Sequence, residues 1–470
     1  MAIKEKKYTA LLIILLIGGL LPPLDFFIVN VGIPSIKQSL HLSVSQAQMV
    51  IAGYAAPYAI FVITGGRLGD IFGRKKIFII GLTLFTISSV GCAFATDGNT
   101  IIIARIIQGV AAAILGPQVI ALIRMIYPSE RQGAVMGLYG MIYGLGAIVG
   151  QLGGALLIHW DIFSLGWRAI FLVNLPIGLV ALMPAMYLLP SDRITSEKVK
   201  NRDVIDIFGI VLLSVSLFLL VVPLIEGPSF HWKWPVFLAL ATGMLFFKWF
   251  RLYENRLRDK GRFPLVDFAL FTNRKYSLVL LAGYLYYFCS ILFFAFPIYL
   301  ERGLKISVMQ TGWSIIPYGI GYFIFPIVIN YLVKNQGKQM LAVGMATYIT
   351  GFGMISISLF RDAEIGNLFR LGLFIAGGGQ GISNPSIIRI SLSYVDKKNV
   401  GLASGLASAV LQLGSTSGIA ILGTLFFIVL GGTPSIIDYL FAFRLMLSLV
   451  TLFCIFNFGI GIWLIRAGKD

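Results

Sequence analysis

The sequence predicts an all-α integral membrane protein with 14 transmembrane helices. They form two six-helix halves, related as a parallel repeat, with an inserted helix pair between them. Three observations carry this prediction: the composition, a train of apolar segments, and the uneven distribution of basic residues. Of 470 residues, 58% are hydrophobic and 12% are charged, with a mean hydropathy of +0.89. Soluble domains are typically about 45–50% apolar and about 25% charged. That gap excludes a soluble enzyme, a disordered chain and a secreted disulfide scaffold. One span takes about 20 mostly apolar residues. At about 30 residues per span with its loop, the chain has room for roughly 14 to 16 spans.

The apolar segments run at about 8–34, 46–68, 77–97, 99–126, 132–158, 168–189, 204–226, 234–252, 276–300, 310–333, 338–360, 366–389, 400–427 and 438–465. None alternates like a barrel strand. Segment 1 follows Lys4, Lys6 and Lys7 and superficially resembles a signal peptide. It lacks a small-x-small cleavage site and its apolar run continues to about Val31, so it reads as a retained helix. Segments 1 to 6 make an N-terminal half over 1–190. Segments 7 and 8 make the inserted pair over 204–252. A basic cytoplasmic linker follows over 253–275, and its apolar piece Pro264–Phe271 is expected to lie along the membrane interface. Segments 9 to 14 make the C-terminal half over 276–470.

Basic residues test this topology. Twenty-eight Lys and Arg fall on the side that holds both termini. Six fall on the other: Lys37, Arg168, Lys233, Arg302, Lys305 and Arg361. Arg105, Arg370 and Arg444 lie within segments. The richer side is cytoplasmic by the positive-inside rule, which puts both termini in the cytoplasm. The net charge of +17 therefore reads as orientation, and no nucleic acid is expected as a partner. Shifting the chain by 268 residues brings Gly109, Gly133, Gly137, Gly146 and Gly150 onto glycines, and Pro117 onto Pro385. This carries segments 4 and 5 onto 12 and 13, the mark of a parallel repeat with a substrate site between the halves.

Cys92, Cys289 and Cys454 lie far apart in apolar stretches, and His41, His159 and His231 fall in short loops. No disulfide framework, metal site or cofactor is expected. No Walker-type loop or catalytic Ser/His pair is present either, so neither ATP drive nor enzyme chemistry is expected.

An ionisable residue inside hydrocarbon is a functional hypothesis by default. Asp25 is read as the one carboxylate deep in a segment, with Glu226, Glu301 and Asp438 at segment ends. Arg105 in segment 4 is its best-placed partner. From the outer ends of their segments the two lie at depths of roughly 13 and 9 Å, at 1.5 Å per residue. Their side chains are therefore expected to meet as a proton-coupling pair. Burial and a nearby guanidinium push a carboxyl in opposite directions, and a change that separates the pair switches the proton. The other reading is a static buried pair that only fixes helix packing.

Gly66–Lys76 is expected to form the turn between segments 2 and 3, with glycines allowing a tight reversal. Asp70 is expected to accept from a helix N-terminus, that of segment 13 near Val400 and Gly401. With Gly66, Gly73 and Arg74 it is read as a conformational gate. Segments 5 and 13 are glycine-rich, and Gly146, Gly150, Gly154 and Gly401 are read either as a moving interface or as simple tight packing. Candidate cavity-lining residues are Asn30, Tyr54, Tyr58, Gln108, Gln118, Gln151, Tyr284, Tyr287, Trp313, Tyr318, Gln380, Asn384 and Gln412. Tyr286 and Tyr322 lie nearby in segments 9 and 10.

These motifs resemble the major facilitator superfamily, in particular its fourteen-helix drug/proton antiporter group. Leu24-Asp25 through Asn30-Val31 and Pro34 is similar to that group's first-helix motif, with Phe27 where Thr is usual. Gly66–Lys76 resembles the superfamily's loop signature, with Ile71 where Arg is usual. Arg105-Ile-Ile-Gln-Gly109 resembles the segment-4 motif, whose Arg is implicated in proton transfer. Trp167-Arg168 through Asn174-Leu-Pro176-Ile-Gly178 is similar to a stretch typical of the group, as are Gly401–Gly405 and Gln412-Leu-Gly414 in segment 13. Gly150-Gln151-Leu-Gly153-Gly154 lacks the proline usual before the paired glycines of the antiporter motif.

The resemblance implies proton-coupled export of small amphiphilic compounds or drugs across a bacterial-type inner membrane by alternating access. The expected partners are a small-molecule substrate, protons and the lipid bilayer, with the chain acting as a monomer. The alternative is a facilitator or importer of a metabolite or siderophore, without proton antiport. With Asp25 as the lone deep acid, neutral, zwitterionic or anionic amphiphiles fit better than divalent lipophilic cations.

Overall fold

A computed structural model describes residues 2–190, 206–227, 230, 232–262, 264–332, 337–361, 365–395, 400–431 and 434–467. Every long element among them is a helix. In chain order they are α1 (Ala2–Ser39), α2 (Val44–Phe72), α3 (Arg74–Ala93), α4 (Gly98–Ile126), α5 (Ser129–Trp160), α6 (Ala169–Leu172), α7 (Asn174–Leu188) and α8 (Ile207–Glu226). The chain continues with α9 (Trp234–Asp259), α10 (Arg274–Phe288), α11 (Ile291–Ile298), α12 (Val308–Leu332), α13 (Gly337–Arg361), α14 (Asn367–Ser393), α15 (Val400–Leu430) and α16 (Ile436–Arg466). Eleven helical stretches among the described residues are long and apolar enough to cross a membrane. Helices α2, α5 and α14, of 29, 32 and 27 residues, are of comparable length.

Local chemistry starts these helices. Ser43 and Gln46 form a reciprocal capping box at α2, and Ser435 with Asp438 does the same at α16. Asp97, Asp206 and Asn273 cap α4, α8 and α10 with their side-chain oxygens. Asp438, read from sequence as a carboxylate at a segment end, is thus a cap. Prolines lie inside several helices, such as Pro57, Pro117 and Pro385, which membrane helices tolerate better than soluble ones do.

Several expectations need correction. Gly66–Lys76 is not a turn. Helix α2 continues through Phe72, and the reversal is confined to Gly73, at φ 99° and ψ 129°. That region is closed to residues with a side chain, so one glycine does the work assigned to a longer turn. Segment 9 is interrupted at Cys289 and Ser290, where Ser290 Oγ and Ser415 Oγ lie 2.8 Å apart, and it ends in a π-helical turn over Tyr299–Gly303. His159 sits in the last turn of α5 rather than in a loop. The piece expected at the interface packs against the protein: Leu265 and Val266 are buried, and Phe268 packs edge-on against Phe250 of α9.

The chain divides into two compact units. The first comprises Met1–Phe26, Leu40–Gly146 and Trp167–Phe268, and the second Phe27–Ser39, Ala147–Gly166 and Ala269–Asp470. In the first, α4 packs on α2 and α3, and α8 pairs with α9. In the second, α14 packs on α12 and α13, and α10 on α15. The 268-residue repeat has a physical counterpart. A methyl group at Gly109 of α4 would strike the Tyr54 carbonyl of α2, and one at Gly377 of α14 would strike the Tyr318 carbonyl of α12. Only hydrogen fits where these backbones cross.

Candidate functional site

Asp25 sits on α1, two residues beyond the Pro22-Pro23 pair, and is fully buried. Arg105 and Gln108 stand three residues apart on α4 and so share one face. Arg105 Nη1 donates to Asp25 Oδ2 and, at 2.7 Å, to Gln108 Oε1. Its Nε donates to the Val50 carbonyl of α2 at 2.9 Å. The guanidinium carbon lies 4.4 Å from the Tyr54 ring centroid and 5.9 Å from that of Phe171. A charge taken out of water needs a partner and satisfied hydrogen bonds; Asp25 is the partner, while Arg105 Nη2 is buried with no hydrogen-bond partner among the described residues.

The second carboxylate oxygen is held by amides. Gln108 Nε2 and Asn174 Nδ2, the latter at the start of α7, each donate to Asp25 Oδ1 at 2.9 Å. Asn174 Nδ2 also donates to Ser89 Oγ of α3 at 2.9 Å, and Ser89 donates onward to the Phe171 carbonyl. Cys92 Sγ donates to Gln108 Oε1 at 3.5 Å. Side chains of α4 and α7 thus converge on one acid of α1, with Ser89 of α3 one hydrogen bond further out, all inside the first unit. Sequence reasoning found Asp25, Arg105 and Gln108 but missed Asn174 and Ser89. A signal for Asn174 was available, since a buried amide in an apolar run needs a partner just as a carboxylate does.

A second buried acid was missed altogether. Glu254, near the end of α9, is 1% exposed, and its Oε2 accepts from the Val266 amide at 3.1 Å. The expected segment stopped at 252, seven residues before the helix ends.

Of the gating candidates, Gly73 makes the α2–α3 reversal, and Arg74 Nη1 donates to the Ala121 carbonyl of α4 at 3.2 Å. A methyl group at Gly66 would find Pro117 at 3.7 Å, ordinary packing distance. Gly146 lies against Leu24 and Pro23, Gly154 against Ile28, and Gly150 is buried. Gly401 lies in the first turn of α15, but the side chain of Asp70 and the surroundings of Gly401 lie outside what is described, and so does the expected contact between them.

The cavity candidates separate into groups. Tyr318 donates to Gln380 Oε1, Tyr287 to Asn384 Oδ1 at 3.3 Å, and Asn384 Nδ2 to Tyr322 at 3.1 Å, all in the second unit. Beside them, Phe293, Phe296, Tyr318, Tyr348, Phe352 and Phe369 wall an apolar cavity of about 30 Å³. Its lining is apolar, and a cavity of that kind stays dry. Tyr284 is half-buried beside Phe288, Gln412 is half-buried, and Trp313 is 55% exposed. Asn30 and Gln151 are buried. In the first unit Gln118 donates to the Gly65 carbonyl at 2.6 Å and ties α4 to α2. Tyr54 donates to the Pro22 carbonyl at 3.2 Å, and Tyr58 lies against Gly116. No group of three or more metal-ligating side chains occurs among the described residues.

Known proteins resemble the chain along most of its length. The sequence profile of the Major Facilitator Superfamily matches residues 15–419 and, separately, 278–468. A probable actinorhodin transporter of Streptomyces coelicolor is 32% identical over 88% of this chain and 72% of its own length. A tetracenomycin C resistance and export protein of Streptomyces glaucescens is 29% identical, covering 87% of this chain and 74% of its own. Among solved structures, a bacterial homologue of the human drug peptide transporters superposes with a TM-score of 0.68 at 15% identity. That match covers 98% of this chain and 99% of the other.

Proposed function

The chain belongs to the Major Facilitator Superfamily, a multi-pass membrane transporter and not an enzyme, and from that premise we propose that it exports small amphiphilic compounds in exchange for protons. The observation that carries this reading is the ion pair of Asp25 and Arg105, both completely buried within helices long and apolar enough to cross a membrane. A static pair of this kind is a poor source of stability, whereas a buried intramembrane acid beside a fixed cation can take up and release a proton. The relatives named for transport of actinorhodin and export of tetracenomycin C favour export over import.

The finer plan is part of the same proposal. Fourteen helices cross a bacterial-type inner membrane with both termini cytoplasmic. Residues 1–190 and 276–470 are the two halves, 204–252 the inserted pair, and 253–275 the linker. The amide and tyrosine groups of the second unit, with Asn30, Tyr54, Tyr58 and Gln151, meet the cargo as the transporter alternates. The glycine contacts at 146 and 154 and the buried Gly150, together with Gly73 and Arg74, accommodate the motion.

Proteoliposomes with an imposed pH gradient test the reading, using actinorhodin and tetracenomycin C as first probes. Gradient-driven transport is expected in the natural protein and is expected to fall to the leak level in Asp25→Asn. Full gradient-driven transport by Asp25→Asn would refute proton coupling through this residue. Transport that ignores the gradient identifies a facilitator instead.

A further inference from the structure

We propose that Asn174 is a positioning residue whose side-chain amide turns over when Asp25 takes a proton, donating to the carboxylate in one state and accepting from the carboxylic acid in the other. This rests on the reading of Asp25 as the coupling acid.

The argument is a census of donors and acceptors. An ionised carboxyl only accepts, whereas a protonated one also donates and so needs an acceptor. Each group bonded to Asp25 is a donor: the Arg105 guanidinium at Oδ2, and the Gln108 and Asn174 NH₂ groups at Oδ1. A guanidinium has no acceptor to offer. The shell therefore suits the carboxylate and leaves no place for an O–H. Of the titratable neighbours, Cys92 directs its Sγ to Gln108 Oε1, and Tyr54 directs its hydroxyl to the Pro22 carbonyl.

Two amide oxygens lie close enough to change this. Gln108 Oε1 already accepts from Arg105 Nη1 at 2.7 Å. Turning that amide would set its NH₂ against the guanidinium, donor to donor. Asn174 Oδ1 is buried and, among the described residues, has no hydrogen-bond partner. It belongs to the amide whose Nδ2 stands 2.9 Å from Asp25 Oδ1 and 2.9 Å from Ser89 Oγ. The terminal torsion of Asn is broad and roughly two-fold, so a half-turn exchanges Oδ1 and Nδ2. The oxygen then accepts the Asp25 O–H. It also accepts the Ser89 hydroxyl, which rotates away from the Phe171 carbonyl. The proton comes from hydronium in the adjoining water, one of whose O–H bonds breaks as the Asp25 Oδ1–H bond forms; no other covalent bond changes. Deprotonation turns the amide back. Because Ser89 is on α3 and Phe171 on α6, the turnover changes which helices are tied together when the acid is neutral.

Infrared difference spectra between high and low pH, recorded on the protein in lipid nanodiscs, test this. The natural protein is expected to gain an acid carbonyl band on acidification that is absent in Asp25→Asn. With isotope-labelled asparagine, an amide carbonyl band is expected to shift in step with it. In Asn174→Leu, which can neither donate nor accept, the amide shift is expected to vanish and the acid band to move to higher wavenumber. Asn174→Gln, which retains an amide, is expected to bring both signals back toward those of the natural protein. An Asp25 acid band with no accompanying asparagine shift in the natural protein overturns the proposal by itself, whether or not the variants fold. An acid band unmoved in Asn174→Leu also overturns it. Absence of any Asp25-dependent band overturns both this inference and the proton-coupling reading beneath it, which separates the two failures.

Discussion

The Arg105 guanidinium carbon lies 4.4 Å from the centroid of the Tyr54 ring, on the helix whose Val50 carbonyl the same arginine binds. Both side chains are buried, and a desolvated cation over an aromatic face is worth about 2 kcal/mol. Tyr54→Phe keeps that face and is expected to retain most transport. Tyr54→Leu removes it and is expected to lower thermal stability by about 2 kcal/mol. Melting curves of the purified variants, read beside transport assays, check both.

Asp25 and Arg105 should show strong coupling in a double-mutant cycle. Either single change, Asp25→Asn or Arg105→Ala, leaves one buried charge unpaired, which costs about 3–5 kcal/mol. The double variant carries no charge there and is expected to be more stable than Arg105→Ala alone. All three are expected to lose gradient-driven transport, so stability and function separate. Thermal melts of the four proteins in one detergent measure the coupling.

Gly377→Ala and Gly109→Ala should be similarly damaging, because each adds a methyl group against a neighbouring backbone carbonyl. Overpacking a tight crossing costs about 1–3 kcal/mol. Gly353→Ala is the control, since nothing lies within 4 Å of its missing side chain. Expression level and melting temperature distinguish them.

Asp97 gives a pH signature. Its carboxyl is held below the ordinary value, first by the Thr100 hydroxyl and then by backbone amides of the first turn of α4. A depressed carboxyl contributes stability above its unfolded value, near pH 4. That contribution is lost as pH falls through the lower folded value. Asp97→Ala should therefore melt earlier than the natural protein at pH 7, and the difference should close as pH falls below the ordinary carboxylate range. Melting temperatures across that range supply the check.

Glu254 anchors the linker through the Val266 amide. Glu254→Ala should loosen the segment and speed tryptic cleavage at Lys260, an exposed position, several-fold. Glu254→Gln keeps an acceptor for Val266 and should be cut at nearly the natural rate. A timed digest resolved by gel reads this directly.

Sequence and structure agree best where hydropathy alone decides. The long apolar runs became helices because a backbone in hydrocarbon must satisfy its own hydrogen bonds. Asp25 and Arg105 stood out because charge in such runs is expensive, and depth along two helices was enough to bring them level. Asn174 and Ser89 did not stand out, because neutral polar side chains lower hydropathy only slightly and their partners come from other helices. Glu254 was missed for a related reason. Polar residues pull down the apolar signal over the last turns of α9 although the helix runs on to Asp259. The Gly66–Lys76 stretch misled because glycines inside a membrane helix serve close packing as often as turning. Only the φ of Gly73 shows which one reverses the chain.

Every side chain bonded to Asp25 comes from the first unit, and the tyrosine-amide network comes from the second. On the proposed reading, the proton site is therefore complete within the first unit, whereas the cargo-facing side chains are supplied by both. Exchanging residues 269–470 for those of a relative leaves every printed partner of Asp25 in place, so on that reading such a chimera is expected to keep its dependence on the pH gradient whatever it carries.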